Sequence, residues 1–321
     1  MPEIYLGIDI GGTTCAVCAA DEQGRMLSAA SFATGKGELG WEKTVGLLLE
    51  EAGKQAGAAG NSAPRAIGIS CGSPMDREKG VIEEPANLPG WKDVPIVSLF
   101  REAFPGTPVH LENDANAGAL AECHFGAGKN ARDLLFLTFG TGLGAGLILD
   151  RRLYRGSSNY AGEVGHLRLA PDGPLGCGKP GSFEGFCSGG GIAQLATDRR
   201  AAWSAETCLD GETVTARDVG LGARNGDELC LEILGISGRY LGQGLALLVD
   251  TLNPELIVIG SIFTRCEEFL RPAMEETLEQ EARKETLARC RIVPAALDEE
   301  IGLYSALCVA LYGEGLLGQA S

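Results

Sequence analysis

Asp133-Leu134-Leu135-Phe136-Leu137-Thr138-Phe139-Gly140-Thr141-Gly142-Leu143-Gly144-Ala145-Gly146-Leu147-Ile148-Leu149-Asp150 is the stretch on which the reading of the fold turns. Its apolar run to Phe139 reads as a buried strand. Gly140 to Ala145 then contains a G-x-G-x-x-A, the spacing of a dinucleotide-binding fingerprint. That fingerprint requires a helix directly after the glycines. Here Leu147-Ile148-Leu149 follows, so the chain reads strand, turn, strand, and the dinucleotide fold is rejected. No G-x-x-x-x-G-K-[ST] occurs anywhere, which excludes a Walker-type loop.

The same pattern stands near the start of the chain. Ile4 to Ile10 reads as a strand, Gly11-Gly12-Thr13-Thr14 turns it, Cys15 to Ala20 returns, and Met26 to Phe32 completes a meander. Glycines let backbone N–H groups approach a ligand with no Cβ in the way, and Thr13 adds a hydroxyl. Asp9, at the end of its strand, is placed to meet a metal ion or its water shell. Taken alone this is an ordinary Gly-Gly hairpin. Paired with Thr138-Phe139-Gly140-Thr141-Gly142, it indicates two related domains, each carrying a phosphate-gripping hairpin.

Leu111-Glu112-Asn113-Asp114-Ala115-Asn116-Ala117-Gly118-Ala119-Leu120-Ala121-Glu122 follows the short strand Pro108-Val109-His110 and runs on at helical spacing. Asn113 and Asp114 therefore stand where a strand hands over to a helix. Capping of the first helical turn is the plain reading of an acid there. The two Gly-Thr turns favour a catalytic role instead. Cys71-Gly72-Ser73-Pro74 and Pro85-Ala86-Asn87-Leu88-Pro89 read as loops. Ala161-Gly162-Glu163-Val164-Gly165-His166 puts a carboxylate and an imidazole three residues apart, able to hydrogen-bond one polar ligand. A second glycine-rich loop runs from Pro174 to Glu184, and Ser188-Gly189-Gly190-Gly191 opens a helix. Further on, the spacing predicts helices over 227–248, 263–281 and 301–312, and strands at 256–261 and 292–293.

Bulk properties narrow the class. The chain has 321 residues, which favours two domains, and 45% hydrophobic residues, ordinary for a globular protein. Its net charge of −16, from 43 acidic against 27 basic residues, repels polyphosphate backbones, so nucleic acid is not expected as a partner. No run reaches the ~18 apolar residues of a membrane span, and the first residues read as a strand, not a signal peptide. Eleven scattered cysteines then read as reduced and mostly buried in a cytoplasmic protein.

Taken together, Asp9-Ile10-Gly11-Gly12-Thr13, Asn113-Asp114-Ala115-Asn116, Gly140-Thr141-Gly142-Leu143-Gly144 and Gly162-Glu163-Val164-Gly165-His166 resemble the motifs of the ROK family of repressors and sugar kinases, in the right order and over nearly the whole chain. The resemblance implies an α/β fold of two actin-like (ribonuclease H-like) domains flanking a cleft. Residues 1–115 would form the N-terminal domain and 116–300 the C-terminal one, with the helix over 301–316 packing back on the first. It further implies an ATP- and magnesium-dependent kinase acting on a hexose 6-hydroxyl. Glucose is the first expectation, with N-acetylglucosamine or N-acetylmannosamine next, and fructose or allose beyond. Asp114 would be the general base. Asn113, Glu163, His166 and Glu184 would hold sugar hydroxyls, with Asn87 and Gly72 as weaker candidates. Gly11, Gly12, Thr13, Thr141 and Gly142 would grip the ATP phosphates, Asp9 would face magnesium through water, and Gly189, Gly190 and Gly260 would hold adenosine. A homodimer is implied as well. The family's repressors carry a helix-turn-helix before the kinase-like part, whereas this chain starts with the first strand and is acidic. A sugar sensor or binding module without catalysis is the remaining alternative.

Two departures from the family pattern stand out. The zinc loop Cys-x-Cys-Gly-x-x-Gly-Cys has Leu175 and Ser182 in place of its first and third cysteines, leaving Cys177. With His166 that makes two ligands, so zinc is not expected. Thr14 also stands where many members have Lys.

Overall fold

The computed structural model describes residues 3–34, 39–60 and 63–317. Met1 and Pro2 lie outside the described residues. The chain divides into two compact units: 1–130 with 150–153 and 299–321, and 131–149 with 154–298.

In the first unit the elements are β1 (Tyr5–Ile10), β2 (Thr14–Ala20), β3 (Met26–Ala33), α1 (Trp41–Ala58), β4 (Ala66–Cys71), β5 (Met75–Asp76), β6 (Val81–Ile82), α2 (Ile96–Ala103), β7 (Val109–Asn113) and α3 (Asp114–His124). The main sheet runs β3-β2-β1-β4-β7, antiparallel through the meander and parallel from β1 to β7. Side chains alternate across it. Ile4, Leu6, Ile8 and Ile10 pack with Val45, Leu48, Ala52 and Ala56 of α1. Those four recur along α1 at the three- and four-residue spacing that buries one helical face.

The second unit holds β8 (Leu134–Leu137), β9 (Ala145–Leu149), β11 (Leu175–Gly176), β12 (Lys179–Pro180), α4 (Phe183–Phe186), α5 (Gly189–Ala202), α6 (Ala216–Arg224), α7 (Glu228–Leu252), β13 (Leu256–Ile259), α8 (Ile262–Glu281), α9 (Lys284–Leu287) and β14 (Arg291–Pro294), while β10 (Arg152–Leu153) falls in the segment 150–153 counted with the first. The second five-stranded sheet runs β10-β9-β8-β13-β14. β8 pairs antiparallel with β9 and parallel with β13, which pairs parallel with β14. Leu135, Leu137, Ile257 and Ile259 join the helices in one core. α7 and α8 meet closely at Gly238 and Gly242, where a Cβ would run into the backbone carbonyls of Leu270 and Met274.

The chain then returns to the first unit as α10 (Ile301–Gly313), whose residues Ser305–Leu311 are buried. It covers the sheet face opposite α1, packing with Tyr5, Cys18, Ala20 and Ala66. Gly7 and Gly68 permit this approach: a Cβ on either would strike the α10 backbone. α3 packs against α10 as well. For that reason the division falls at 130/131 and not at the expected 115/116: α3 is a helix of small buried residues whose partner is α10. No helix among the described residues is long and apolar enough to cross a membrane. All eleven cysteines are free, seven of them buried.

Candidate functional site

In the first unit the polar groups gather where the parallel strands end. Register places Asp9 beside Ser70 of β4, and Ser70 beside Glu112 of β7. Open α/β sheets bind ligands at the carboxyl ends of their strands. The alternation that turns Ile8 and Ile10 toward α1 turns Asp9 toward α10, where its carboxylate lies against Gly302 in the first turn. The partial positive end of that helix favours a negative group.

Asp114 is the first residue of α3 and is exposed to solvent. Capping falls to Asn113, whose Oδ1 accepts from the N–H groups of Ala115 (2.9 Å) and Asn116 (3.3 Å). Asn113 Nδ2 donates to Ser73 Oγ at 2.8 Å, which fixes its orientation. Asp114 Oδ1 accepts from Ala115 N–H at 2.8 Å. Enclosure by surrounding protein raises the Asp114 carboxyl above its ordinary range, opposed by backbone N–H groups. Asp9, half-buried, is pushed up to about 7 by desolvation and then by the charge of Asp114. Both acids remain in reach of water, so the shifts reflect a concave setting and not a sealed core.

The first turn is closed by Gly11 N–H donating to Thr14 O (3.1 Å), and Thr34 N–H donating to Thr13 O (3.0 Å) anchors its far side. Gly12 sits directly on the Asn87 backbone, where a Cβ would overlap its carbonyl oxygen, and the Asn87 amide lies over Gly72. The loops carrying Gly72 and Asn87 are thus brought to the first turn. Asp9 fits a magnesium ion: it is an oxygen donor whose carboxyl is held at about 7 by desolvation and the neighbouring Asp114 charge, an environment that a cation would relieve.

The second unit holds its turn differently. Glu184 Oε2 accepts from Leu143 N–H (3.0 Å) and Oε1 from Cys177 N–H (2.8 Å), tying the turn to the glycine-rich loop. Thr138 Oγ1 accepts from Gly144 N–H at 3.0 Å across the turn's base. Gly189 N–H donates to Gly140 O (2.8 Å), setting the start of α5 on the turn, while Gly260 N–H donates to Leu137 O (3.0 Å). Thr141, Gly142, Gly189, Gly190 and Gly260 therefore surround one stretch of backbone. Glu163 and His166 lie side by side and exposed, Oε2 to Nε2 3.9 Å. Gly165 packs on Leu143, Cys177 and Glu184, which seats this pair on the same turn.

The residues of the 166–184 loop do not fit zinc. Ser182 is buried and spends its hydroxyl on Gly176 O (2.8 Å) and Gly185 N–H (3.0 Å), capping α4. Leu175 is exposed and offers no donor. Sequence reasoning overlooked Ser73, Thr138 and the cap held by Asn113. The partner of Ser73 stands forty residues along the chain, too far for spacing to reveal, whereas Thr138 bonds Gly144 within its own turn, a local contact that the Thr before a Gly-x-Gly could have signalled.

The ROK family matches residues 5–312. The chain is 32% identical to a glucokinase of Halalkalibacterium halodurans over 283 residues, 86% of this chain and 85% of that protein. It superposes on the ROK hexokinase of Thermus thermophilus with a TM-score of 0.83, at 33% identity, covering 97% of this chain and 99% of the other. A ROK family glucokinase from Streptomyces griseus, in complex with glucose and AMPPNP, gives a TM-score of 0.77 at 29% identity, covering 97% of this chain and all of the other.

Proposed function

The chain belongs to the ROK family, and from that premise we propose that it is an ATP-dependent hexose kinase that phosphorylates the 6-hydroxyl of glucose, with Asp114 as general base. That it is a sugar kinase follows from its similarity to glucokinases and to the ROK hexokinase over nearly its full length. The observation that carries the assignment of the base is the division of labour at the start of α3. Asn113 caps the helix, so Asp114 is not needed for capping, and its carboxyl is exposed and raised in basicity. A carboxylate so placed accepts the hydroxyl proton as the oxygen attacks the terminal phosphorus.

Asn113, Glu163, His166 and Glu184 are proposed to hold the sugar hydroxyls, with Asn87 and Gly72 at the edge. Gly11, Gly12 and Thr13 are proposed to meet the ATP phosphates from the first unit, and Thr141 and Gly142 from the second. Gly189, Gly190 and Gly260 are proposed to receive adenosine. Asp9 would hold magnesium through water, and the ion when bound would neutralise phosphate charge. A homodimer in the cytoplasm completes the proposal; the free thiols suit a reducing compartment.

The test is ADP release from MgATP across glucose, N-acetylglucosamine, N-acetylmannosamine, fructose, mannose and allose, with the phosphorylated position found by phosphorus-coupled NMR. Glucose turned over most efficiently, at O6, is the expected result. Preference for an N-acylated hexosamine would move the substrate. No turnover with any sugar, with sugar binding detectable by calorimetry, would make the chain a binding module.

A further inference from the structure

Outside every residue assigned above, Cys208, Asp227 and Cys230 bring their Sγ and carboxylate oxygen atoms within 4.8 Å of one another, the only group of three such ligand atoms among the described residues. We propose that these three side chains bind one soft divalent cation, Zn²⁺ being the type, with water completing the coordination.

The geometry is that of paired ligands. The two sulfurs stand 4.0 Å apart. Two Zn–S bonds of ~2.3 Å at angles between tetrahedral and trigonal span about 3.8–4.0 Å. Asp227 is held in place from behind: Oδ2 accepts from Cys208 N–H (2.7 Å) and Oδ1 from Cys230 N–H (3.0 Å). The Thr207 hydroxyl donates to this carboxylate as well, and of its four lone pairs at least one is left for an ion; hydrogen-bonded carboxylates are common among metal ligands. Room for the sulfurs comes from α6. A Cβ at Gly222 would overlap both, so the helix presents bare backbone there. Cys230 is buried and Cys208 exposed, so the pair has an inner wall and an outer opening. A depression of about 410 Å³ lined by Glu206, Thr207, Cys208 and Asp227 supplies the entry path and the place for water.

A cation suits this trio better than a disulfide does. Binding replaces two thiol protons by one divalent ion with no change in net charge, and gives the Asp227 carboxylate a cation to coordinate; a disulfide would leave that carboxylate with no new partner. The consequence is mechanical. Cys208 precedes α6 and Cys230 lies in the first turn of α7, so the ion would clip together the two ends of the segment that carries α6. An ion bound only by the folded chain adds to its stability.

The experiment uses the full chain, reduced and stripped with chelator, titrated with Co²⁺ as an optical stand-in. One equivalent should give thiolate-to-cobalt absorption in the near ultraviolet with tetrahedral bands in the visible, bleached by Zn²⁺. Zn²⁺ should also raise Tm by about 3 °C or more. Cys208→Ser, at an exposed position, should abolish these bands, and Cys177→Ser should keep them. Asp227→Asn, which preserves the helix cap, should weaken binding at least about tenfold. Absence of the bands would overturn the proposal. So would their survival in Cys208→Ser with loss in Cys177→Ser, which would move the ion to the glycine-rich loop. Peptide mapping that finds a Cys208–Cys230 disulfide in protein isolated without reductant, with no cobalt taken up after reduction, would make the pair a redox couple instead.

Discussion

The two five-stranded sheets share a strand order, an antiparallel meander leading into two parallel strands, but their strand ends are equipped differently. In the first, the parallel strands end in acids: Asp9 after β1's apolar run, and Asn113-Asp114 where β7 passes into α3. In the second, the corresponding strands run out into Thr138, Gly260 and Ala295, and the Glu184 carboxylate holds backbone N–H groups of the turn and the glycine-rich loop. One frame therefore presents acids at its strand ends, and the other a braced backbone turn. Shared topology says where a site can form, and the side chains at the strand ends decide what it does.

Substitutions can break or sharpen that contrast. The largest effect is expected at the first turn. Gly12→Ala pushes a methyl into the Asn87 carbonyl, with backbone on both sides and no flexible tip to yield. A loss of about 3 kcal/mol in urea unfolding is expected, together with weakened ATP binding. Glu184→Gln tests the second turn. It replaces a carboxylate that accepts two backbone N–H bonds by an amide with one acceptor. A cost of about 2 kcal/mol is expected by the same unfolding measurement, against little change in the pH dependence of turnover.

Asp9→Asn should act in the opposite direction. The folded-state carboxyl titrates at about 7 against an ordinary 3.8, so between those values the folded protein holds a proton that the unfolded chain has lost. Stability contributed by this group is therefore lost as pH rises through that window. Carried in full the shift would be worth about 4 kcal/mol; because water reaches the half-exposed group, about 2 kcal/mol is expected. The magnesium-free Asn variant should thus be more stable than the parent at pH 8, with the difference vanishing near pH 4 in thermal melts, while its response to magnesium is lost. The smallest effect is expected at Ser182→Ala. Removing the α4 cap should cost about 1 kcal/mol, read from the urea midpoint.

Much of this contrast could be read from the residues. Both strand-turn-strand units, the Asn-Asp junction and the apolar helix near the C-terminus are patterns of local period or turn chemistry, and the structure has them. What escaped depends on partners far along the chain. α3 is rich in small residues, and nothing in that run says that it packs on α10 nearly two hundred residues later. Asn113 meeting Ser73, and Glu184 meeting Leu143, join positions forty residues apart with no periodic trace. Cys208 and Cys230 are brought together by α6 turning between them, and single cysteines in a polar stretch give no sign of it.

The central claim is that Asp114 moves the proton, and the most direct measurement is a rapid-quench single turnover with MgATP and glucose for the parent and Asp114→Asn, with glucose affinity measured by calorimetry. With Asp114 as the base, the variant's phosphoryl-transfer rate falls at least about 100-fold, with glucose affinity changed by no more than about threefold. A variant that transfers phosphate at nearly the parent rate would contradict it and leave Asp114 as a residue of the helix start alone.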